Sequence, residues 1–133
     1  MGKYGEVAIT AVGMIGSKIA IDPVEAWRLA ALKVFPNSES SRKKGCPKST
    51  FLGLCENGYI VNVAAGSYTR SEKNKEYAVK ALDLLADNSE LALDKNKLWK
   101  KVMNGVEKKQ NGQMDVVTAL WNNGMIDKSN GAI

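Results

Sequence analysis

The chain has 133 residues, no histidine and a formal net charge of +5, and it is 44% hydrophobic and 25% charged. This size and composition are typical of one globular domain, which we expect to span residues 1–133. The missing imidazole excludes Ser-His-Asp and Cys-His catalysis and histidine-based zinc sites. No apolar run approaches the roughly 20 residues of a membrane span, no secretory signal is recognisable, and only two cysteines occur, so we expect a cytoplasmic location without membrane contact.

Two helices are predicted in the first third of the chain. Apolar side chains recur at helical spacing over residues 4–15, and Gly16 is a suitable stop. The sequence Asp-Pro-Val-Glu at 22–25 has the signals of a helix start. We expect its aspartate to accept a free backbone N–H and its glutamate to reach back to the cap. This second helix ends before Pro36.

A third helix is predicted from near Pro47 to a left-handed terminator at Gly58. Gly53 inside it costs roughly 1 kcal/mol of helix stability relative to alanine. We interpret it as a close contact with another backbone, and a break in the helix is the alternative. Residues 59–63 have β-type side chains but no obvious partner strand. They are predicted to form a short extended connector.

Three further helices complete the prediction. Thr69 and Glu72 match a capping box that opens the fourth helix. Asp94 can cap the fifth, and the last runs roughly over residues 113–123 with Gly124 as its stop. We therefore expect an all-α fold, a single compact domain of about six helices with one extended connector.

The positive excess is concentrated between residues 41 and 75. This window holds seven basic and two acidic side chains, a balance of +5 that equals the net charge of the chain. The loop at 38–48 carries four cations directly before a helix N-terminus, where free N–H groups also attract anions. Residues 68–71 open another helix and add an arginine fork and two hydroxyls. The candidate anion-binding or partner-binding residues are Arg42, Lys43, Lys44, Lys48, Thr69, Arg70, Ser71, Lys73 and Lys75.

Each of these features also has a purely structural interpretation. The basic loop is then simply solvated, and residues 68–71 only cap a helix. Two basic helix starts that converge on one cleft would form an anion site. A second basic stretch is normally a solvated helix face, but it extends the anion-binding surface if it folds beside the loop. That stretch contains Lys95, Lys97, Lys100, Lys101, Lys108 and Lys109.

The remaining chemically interesting side chains favour structural roles. Cys46 lies beside lysines at a helix start, which favours a thiolate, but it lacks a base, and Cys55 lies on an apolar face. Trp27, Trp99 and Trp121 fall on apolar helix faces and are predicted to be core residues. Neither a nucleotide-binding glycine motif nor a metal-ligand cluster occurs, so we predict no cofactor and no metal, and an enzyme is the least favoured class.

Three stretches resemble a family of small uncharacterised bacterial proteins. They read Cys-Pro-Lys-Ser-Thr-Phe-Leu-Gly-Leu-Cys-Glu-Asn-Gly (46–58), Tyr-Thr-Arg-Ser-Glu-Lys-Asn-Lys-Glu-Tyr-Ala (68–78) and Gly-Gln-Met-Asp-Val-Val-Thr-Ala-Leu-Trp (112–121). Together they cover under a third of the chain. The resemblance implies a bacterial cytoplasmic protein of unknown function, and it transfers no catalytic or ligand-binding residues.

Three functions remain open. The first is a non-enzymatic helical binding module whose basic 41–75 region docks an anionic partner, with nucleic acid as the best candidate. The second is an accessory protein that docks an acidic protein partner on the same region. The third is a sensor or enzyme for a small phosphorylated or carboxylated ligand, held by Lys48 and Arg70. Broadly apolar helices in a short chain are also compatible with a homodimer.

Overall fold

A computed structural model describes residues 2–128 of the chain. This part contains seven α-helices, one 3-10 turn and no strand. The α-helices are α1 (Lys3–Gly16), α2 (Pro23–Val34), α3 (Glu39–Arg42), α4 (Gly45–Glu56), α5 (Glu72–Asp87), α6 (Lys95–Met103) and α7 (Gln113–Asn122), and the 3-10 turn is Ser89–Leu93. The all-α prediction is confirmed, with six helices of nine residues or more and the single turn α3.

Two of the predicted helix caps are formed as expected. The carboxylate of Asp22 accepts the backbone N–H of Glu25 at 2.9 Å, and that of Asp94 accepts the N–H of Lys97 at 3.1 Å. The expectation that Glu25 reaches back to the cap is wrong, because its carboxylate accepts two hydrogen bonds from the Arg28 guanidinium instead. The aspartates therefore fix where α2 and α6 begin.

The helices pack around a single core in which α7 has the most neighbours. α1 packs on α2 and α7, α4 packs on α2, α5 and α7, and α6 packs on α5 and α7. The predicted burial of Trp27 and Trp99 is confirmed, and the Trp27 ring lies 5.3 Å from that of Phe51. The prediction is only partly right for Trp121, which packs against the core but is half-buried. The Lys128 ammonium lies over its ring, 4.5 Å from the ring centre.

Gly53 lies where α4 and α5 come closest. A Cβ placed on Gly53 would lie 2.9 Å from Cβ and 3.0 Å from Cα of Lys75, distances that real Cβ atoms do not tolerate. The predicted close contact with another backbone is therefore confirmed, and α5 is the partner.

The connector at 59–63 is extended only at its start. Residues 61–62 form a turn, in which Asn62 has a φ of +62° and the Val63 N–H donates to the Ile60 carbonyl at 3.3 Å. The extended part does have a partner. Ile60 forms an isolated antiparallel bridge with Ile126. The Val61 N–H donates to the Met125 carbonyl at 3.0 Å, and the Asp127 N–H donates to the Tyr59 carbonyl at 2.8 Å. The segment that follows α7 thus returns to pair with the segment that follows α4. A pairing between such distant segments leaves no local sequence signal.

Candidate functional site

The basic segment 38–48 contains the single turn α3 and is not a loop throughout. Ser38 is its N-cap, because its hydroxyl oxygen accepts the Ser41 N–H at 3.3 Å. The Tyr4 hydroxyl donates to the Ser41 carbonyl at 3.1 Å and ties this turn to α1. A serine cap is recognisable in a sequence, but one turn is too short to show helical periodicity.

Arg42 closes the C-terminal end of α2. Its Nη1 donates to the carbonyl oxygens of Phe35 at 2.8 Å and Pro36 at 3.2 Å. These carbonyls follow the last residue of α2, where the negative end of the helix dipole favours a cation. One side of the guanidinium therefore has a structural role, while the residue also lines the groove beside it.

A groove of about 360 Å³ separates α2 from the corner formed by α3 and the start of α4. We call it the basic groove. It brings together three of the predicted cations, Arg42, Lys43 and Lys48, and adds Arg28 from α2. Apolar surface from α2 completes its walls, and among the described residues that line it none is acidic. The lining residues are Trp27, Arg28, Ala31, Leu32, Arg42, Lys43 and Lys48.

Two of the groove's four cations form exposed ion pairs. Nη2 of Arg28 lies 2.6 Å from Oε1 of Glu25, and Nζ of Lys43 lies 2.6 Å from Oε1 of Glu39. The hydrogen bonds from these cations lower the pKa of each glutamate. Because both pairs are exposed to solvent, they are weak, and a phosphate can compete with either carboxylate. Lys48 has no carboxylate partner within residues 2–128.

Arg28 is the groove residue absent from the sequence prediction. It lies three residues after Glu25, so a count of charge along the chain registers the two as neutral. The sequence could have indicated Arg28 only through its position on the solvent-facing side of α2. Leu32, one turn later on the same side, is 46% exposed. Lys44 borders the same corner but lies outside the groove, with its Nζ 5.5 Å from the centre of the Tyr4 ring.

The second predicted cluster, at residues 69–75, is organised around the carboxylate of Glu56. Oε2 of Glu56 pairs with Nζ of Lys75 at 2.7 Å, and Oε1 accepts the backbone N–H groups of Tyr68 at 2.7 Å and Thr69 at 3.2 Å. The hydrogen bond from Lys75, followed by the two backbone bonds, lowers the pKa of Glu56 to about 2. Lys75 is thus engaged in a largely buried ion pair.

The predicted capping box of Thr69 and Glu72 is wrong. Glu72 is the first residue of α5, and Ser71 is the N-cap. The Thr69 hydroxyl accepts the Ser71 N–H at 3.1 Å, and the Ser71 hydroxyl accepts from the side-chain amide of Asn74 at 3.0 Å. The hydroxyls of this cluster therefore shape the turn that leads into α5.

The two predicted helix starts do not converge on one cleft. Residues 42–48 lie at the N-terminal end of α4, whereas Glu56, which binds the backbone at 68–69, is its last residue. A helix of twelve residues is about 18 Å long. Arg70 and Lys73 are exposed at the far end, outside the basic groove.

Thiols and metal-ligating carboxylates are two further kinds of candidate group in residues 2–128. Both thiols are free, Cys46 partly exposed and Cys55 buried, and burial raises the pKa of Cys55. Within residues 2–128, no group of three or more cysteine and carboxylate side chains is arranged to hold a metal ion. None of the described helices combines the length and hydropathy that crossing a bilayer requires.

Fold and site together define a small all-α domain with a basic groove at one helix corner. A family model described as "Family of unknown function (DUF6979)" matches residues 1–127, so the chain belongs to this family. The predicted resemblance to a family of unknown function is confirmed at this level. No curated protein and no solved structure matches the chain.

Proposed function

We propose that the chain is a non-enzymatic binding module that docks nucleic acid in the basic groove. The observation that carries the proposal is the lining of this groove, where Arg28, Arg42, Lys43 and Lys48 surround apolar surface from α2. Phosphodiester backbones present closely spaced negative charges, and lysines and arginines bind them by releasing condensed counterions. A groove that combines cations with apolar surface suits a backbone together with its sugars and bases.

The set of residues that we propose to bind nucleic acid is smaller than the set predicted from the sequence. Thr69, Ser71 and Lys75 have hydrogen bonds within the fold that account for their identities, which favours a structural role for them. Arg70 and Lys73 lie at the other end of α4, so they serve as a natural comparison for the groove residues.

Fluorescence anisotropy with labelled DNA and RNA, titrated over salt concentration, tests this proposal. Lys43→Ser with Lys48→Ser removes two groove charges and leaves Arg42 to close α2. Arg70→Ser with Lys73→Ser is the matched control, because it removes the same charge from exposed positions outside the groove. For duplex DNA, we expect the slope of log Kobs against log salt to become shallower by about 1.8 in the groove variant, since each phosphate contact contributes about 0.9. The control keeps the wild-type slope.

Two outcomes contradict the proposal. If only the Arg70 and Lys73 variant has a shallower slope of log Kobs against log salt, the binding surface lies at the other end of α4. Absence of binding to every nucleic acid at low salt would favour an acidic protein as the partner of the same groove.

The cellular setting is also part of the proposal. The three stretches that resemble small bacterial proteins support a bacterial origin, and two free thiols are compatible with a reducing cytoplasm. Homodimerisation stays a prediction from the short and broadly apolar chain, and sedimentation velocity of the purified protein tests it.

A further inference from the structure

A second basic surface lies beside α6 and the segment that follows it. Two adjoining cavities of about 690 and 600 Å³ share Trp99, Lys100, Lys108 and Lys109, and the larger one also includes Lys97. We call this surface the lysine groove. Lys100 and Lys109 are exposed and have no carboxylate partner in the described part of the chain.

The walls of the lysine groove are held in place by specific contacts. The indole N–H of Trp99 donates to the Lys108 carbonyl at 2.7 Å, which fixes the segment after α6 against that helix. Nζ of Lys108 donates to the Tyr77 hydroxyl at 3.2 Å and lies 5.1 Å from the centre of its ring. Two carboxylates lie at the edges: Asp94, whose side chain caps α6, and Glu107. Cations therefore outnumber carboxylates across the surface.

Gly112 brings the end of this segment to the corner that carries the basic groove. Its φ is +87°, and a Cβ on it would lie 3.1 Å from Cδ2 of Tyr4 and 3.4 Å from Cβ of Pro47. Tyr4 in turn contacts Lys44 and Ser41. Gly112 and Pro47 are buried and Tyr4 is half-buried, so this contact lies beneath the surface. It joins the end of the lysine-groove segment to the start of α4, where Lys48, the residue after Pro47, lines the basic groove.

The two grooves face different flanks of the domain. The basic groove is built on α2, which packs on α1 and α4, whereas the lysine groove is built on α6, which packs on α5 and α7. A ligand that occupies both must bend around the part of the domain between them. Duplex DNA has a persistence length of about 150 bp and resists bending over the width of so small a domain, while a single strand follows such a path easily.

We infer that one single-stranded nucleic acid bends around this part of the domain and occupies both grooves. This inference rests on the proposed function and adds to it the form of the nucleic acid and a second contact surface. Lysines act as point charges without a planar fork, so the lysine groove contributes affinity with little sequence preference. The combined path is expected to cover on the order of ten nucleotides.

The test is anisotropy with fluorescein-labelled oligothymidylates and oligouridylates of increasing length, from about 4 to 20 nucleotides, beside a mixed-sequence duplex of about 20 bp. Lys100→Ser with Lys109→Ser is compared with the groove variant Lys43→Ser with Lys48→Ser and with the Arg70→Ser, Lys73→Ser control. For wild type and control, affinity should rise about tenfold or more as the strand becomes long enough to reach both grooves, and then level off. For either groove variant, we expect the gain with length to disappear and the salt slope to become shallower by about 1.4.

The outcomes separate this inference from the proposed function. If the Lys100 and Lys109 variant keeps the wild-type length dependence and slope while the Lys43 and Lys48 variant loses both, the lysine groove is not used and the proposed function stands. Equal or tighter binding of the duplex overturns the single-strand assignment. If no probe binds, the proposed function fails together with the inference. Similar results for thymidylates and uridylates support recognition of the shared phosphate backbone, and a preference for either one assigns DNA or RNA as the ligand.

Discussion

Glu56 holds the irregular segment before α5 through one carboxylate. The N–H groups of Tyr68 and Thr69 lie in a stretch without helix or strand, so they have no repeating backbone partners. Glu56 accepts both of them and pairs with Lys75 in the same place. Because these bonds are made to the charged form, they stabilise the carboxylate and hold the pKa of Glu56 at about 2.

Replacing Glu56 by glutamine should lower the free energy of unfolding by about 2 kcal/mol at pH 7. The charge-assisted bonds are lost, and the largely buried Lys75 is left with the Glu72 carboxylate, 4.0 Å from its Nζ. The folded-state pKa of Glu56, about 2, lies below the ordinary value of about 4.3. The carboxylate's contribution is therefore complete above about pH 4.3 and is lost as the pH falls toward 2. Urea unfolding of both proteins at pH 7, 5, 4 and 3 measures this.

The difference in stability between wild type and Glu56→Gln should be constant from pH 7 to 5 and should shrink at pH 4 and 3. Glu76→Gln, which changes an exposed carboxylate on α5, is the control and should have little effect. A difference that stays unchanged at pH 3 would show that the charge of Glu56 is not what stabilises the fold.

The role of Glu56 was not predictable, although its sequence neighbours were correctly assigned to a helix. Its partners come from residues 68, 69 and 75, so only the folded chain brings the donors to it. The same contact explains the failed capping box. The Thr69 N–H bonds Glu56 and its hydroxyl bonds Ser71, so α5 begins later than the local motif suggested.

At the level of whole elements, the prediction succeeds at most helix ends that a cap, a proline or a glycine marks, with the start of α5 as an exception. Asp22 and Asp94 cap their helices, and Gly58 and Gly124 have φ of +77° and +71° where α4 and α7 end. These signals are local, and so a sequence reveals them. α3 and the 3-10 turn at Ser89–Leu93 were missed because four or five residues are too few to show periodicity.

The close packing of α4 on α5 can be tested with two helical glycines, one at the contact between the helices and one with no neighbour in the described part of the chain. Gly53→Ala should lower the free energy of unfolding by about 1–3 kcal/mol, because the new methyl overlaps the Lys75 backbone and pushes the helices apart. Gly13→Ala is the matched control on α1. Among residues 2–128, no neighbouring element lies within 4 Å of the position that the new methyl of Gly13→Ala would take. The free energy of unfolding of this variant should therefore rise by about 0.5–1 kcal/mol, because alanine has the higher helix propensity. Urea unfolding of both variants shows whether the first is destabilised and the second stabilised relative to wild type.

If Gly53→Ala were as stable as Gly13→Ala, the close approach of α4 and α5 would not be maintained in solution. Gly53→Leu, with a larger side chain, should be more destabilised than Gly53→Ala, which provides a graded check on the same contact.

For the whole molecule, the charge count located the basic corner but not its shape. The window at 41–75 contains both ends of α4, and its cations are therefore divided between two regions. Arg28 joins the groove from outside the window, and Gly112 brings a distant lysine segment alongside. Which charges share a surface depends on tertiary packing. A count of charge along the sequence therefore indicates the region, and the fold determines which side chains line the groove.

Binding at the basic groove should raise the melting temperature of the whole domain. An oligonucleotide at about ten times its dissociation constant adds about 1.4 kcal/mol of stability if it binds only the folded state. For a domain of this size, that corresponds to a rise in Tm of roughly 5 °C. Thermal unfolding with and without an oligothymidylate of about 20 nucleotides should show this shift for wild type and for the Arg70→Ser, Lys73→Ser control. Lys43→Ser with Lys48→Ser should shift less, and equal shifts in all three proteins would contradict binding at this groove.

The packing of α1 against α7 has a consequence for synthesis on the ribosome. The two helices are separated by about 100 residues, which take roughly 5–20 s to translate. Until α7 emerges, the side of α1 that it covers has only non-native partners, although α2 can cover another side early. The nascent chain thus carries exposed apolar surface for most of its elongation, and a ribosome that stalls before residue 113 leaves a fragment suited to capture by chaperones.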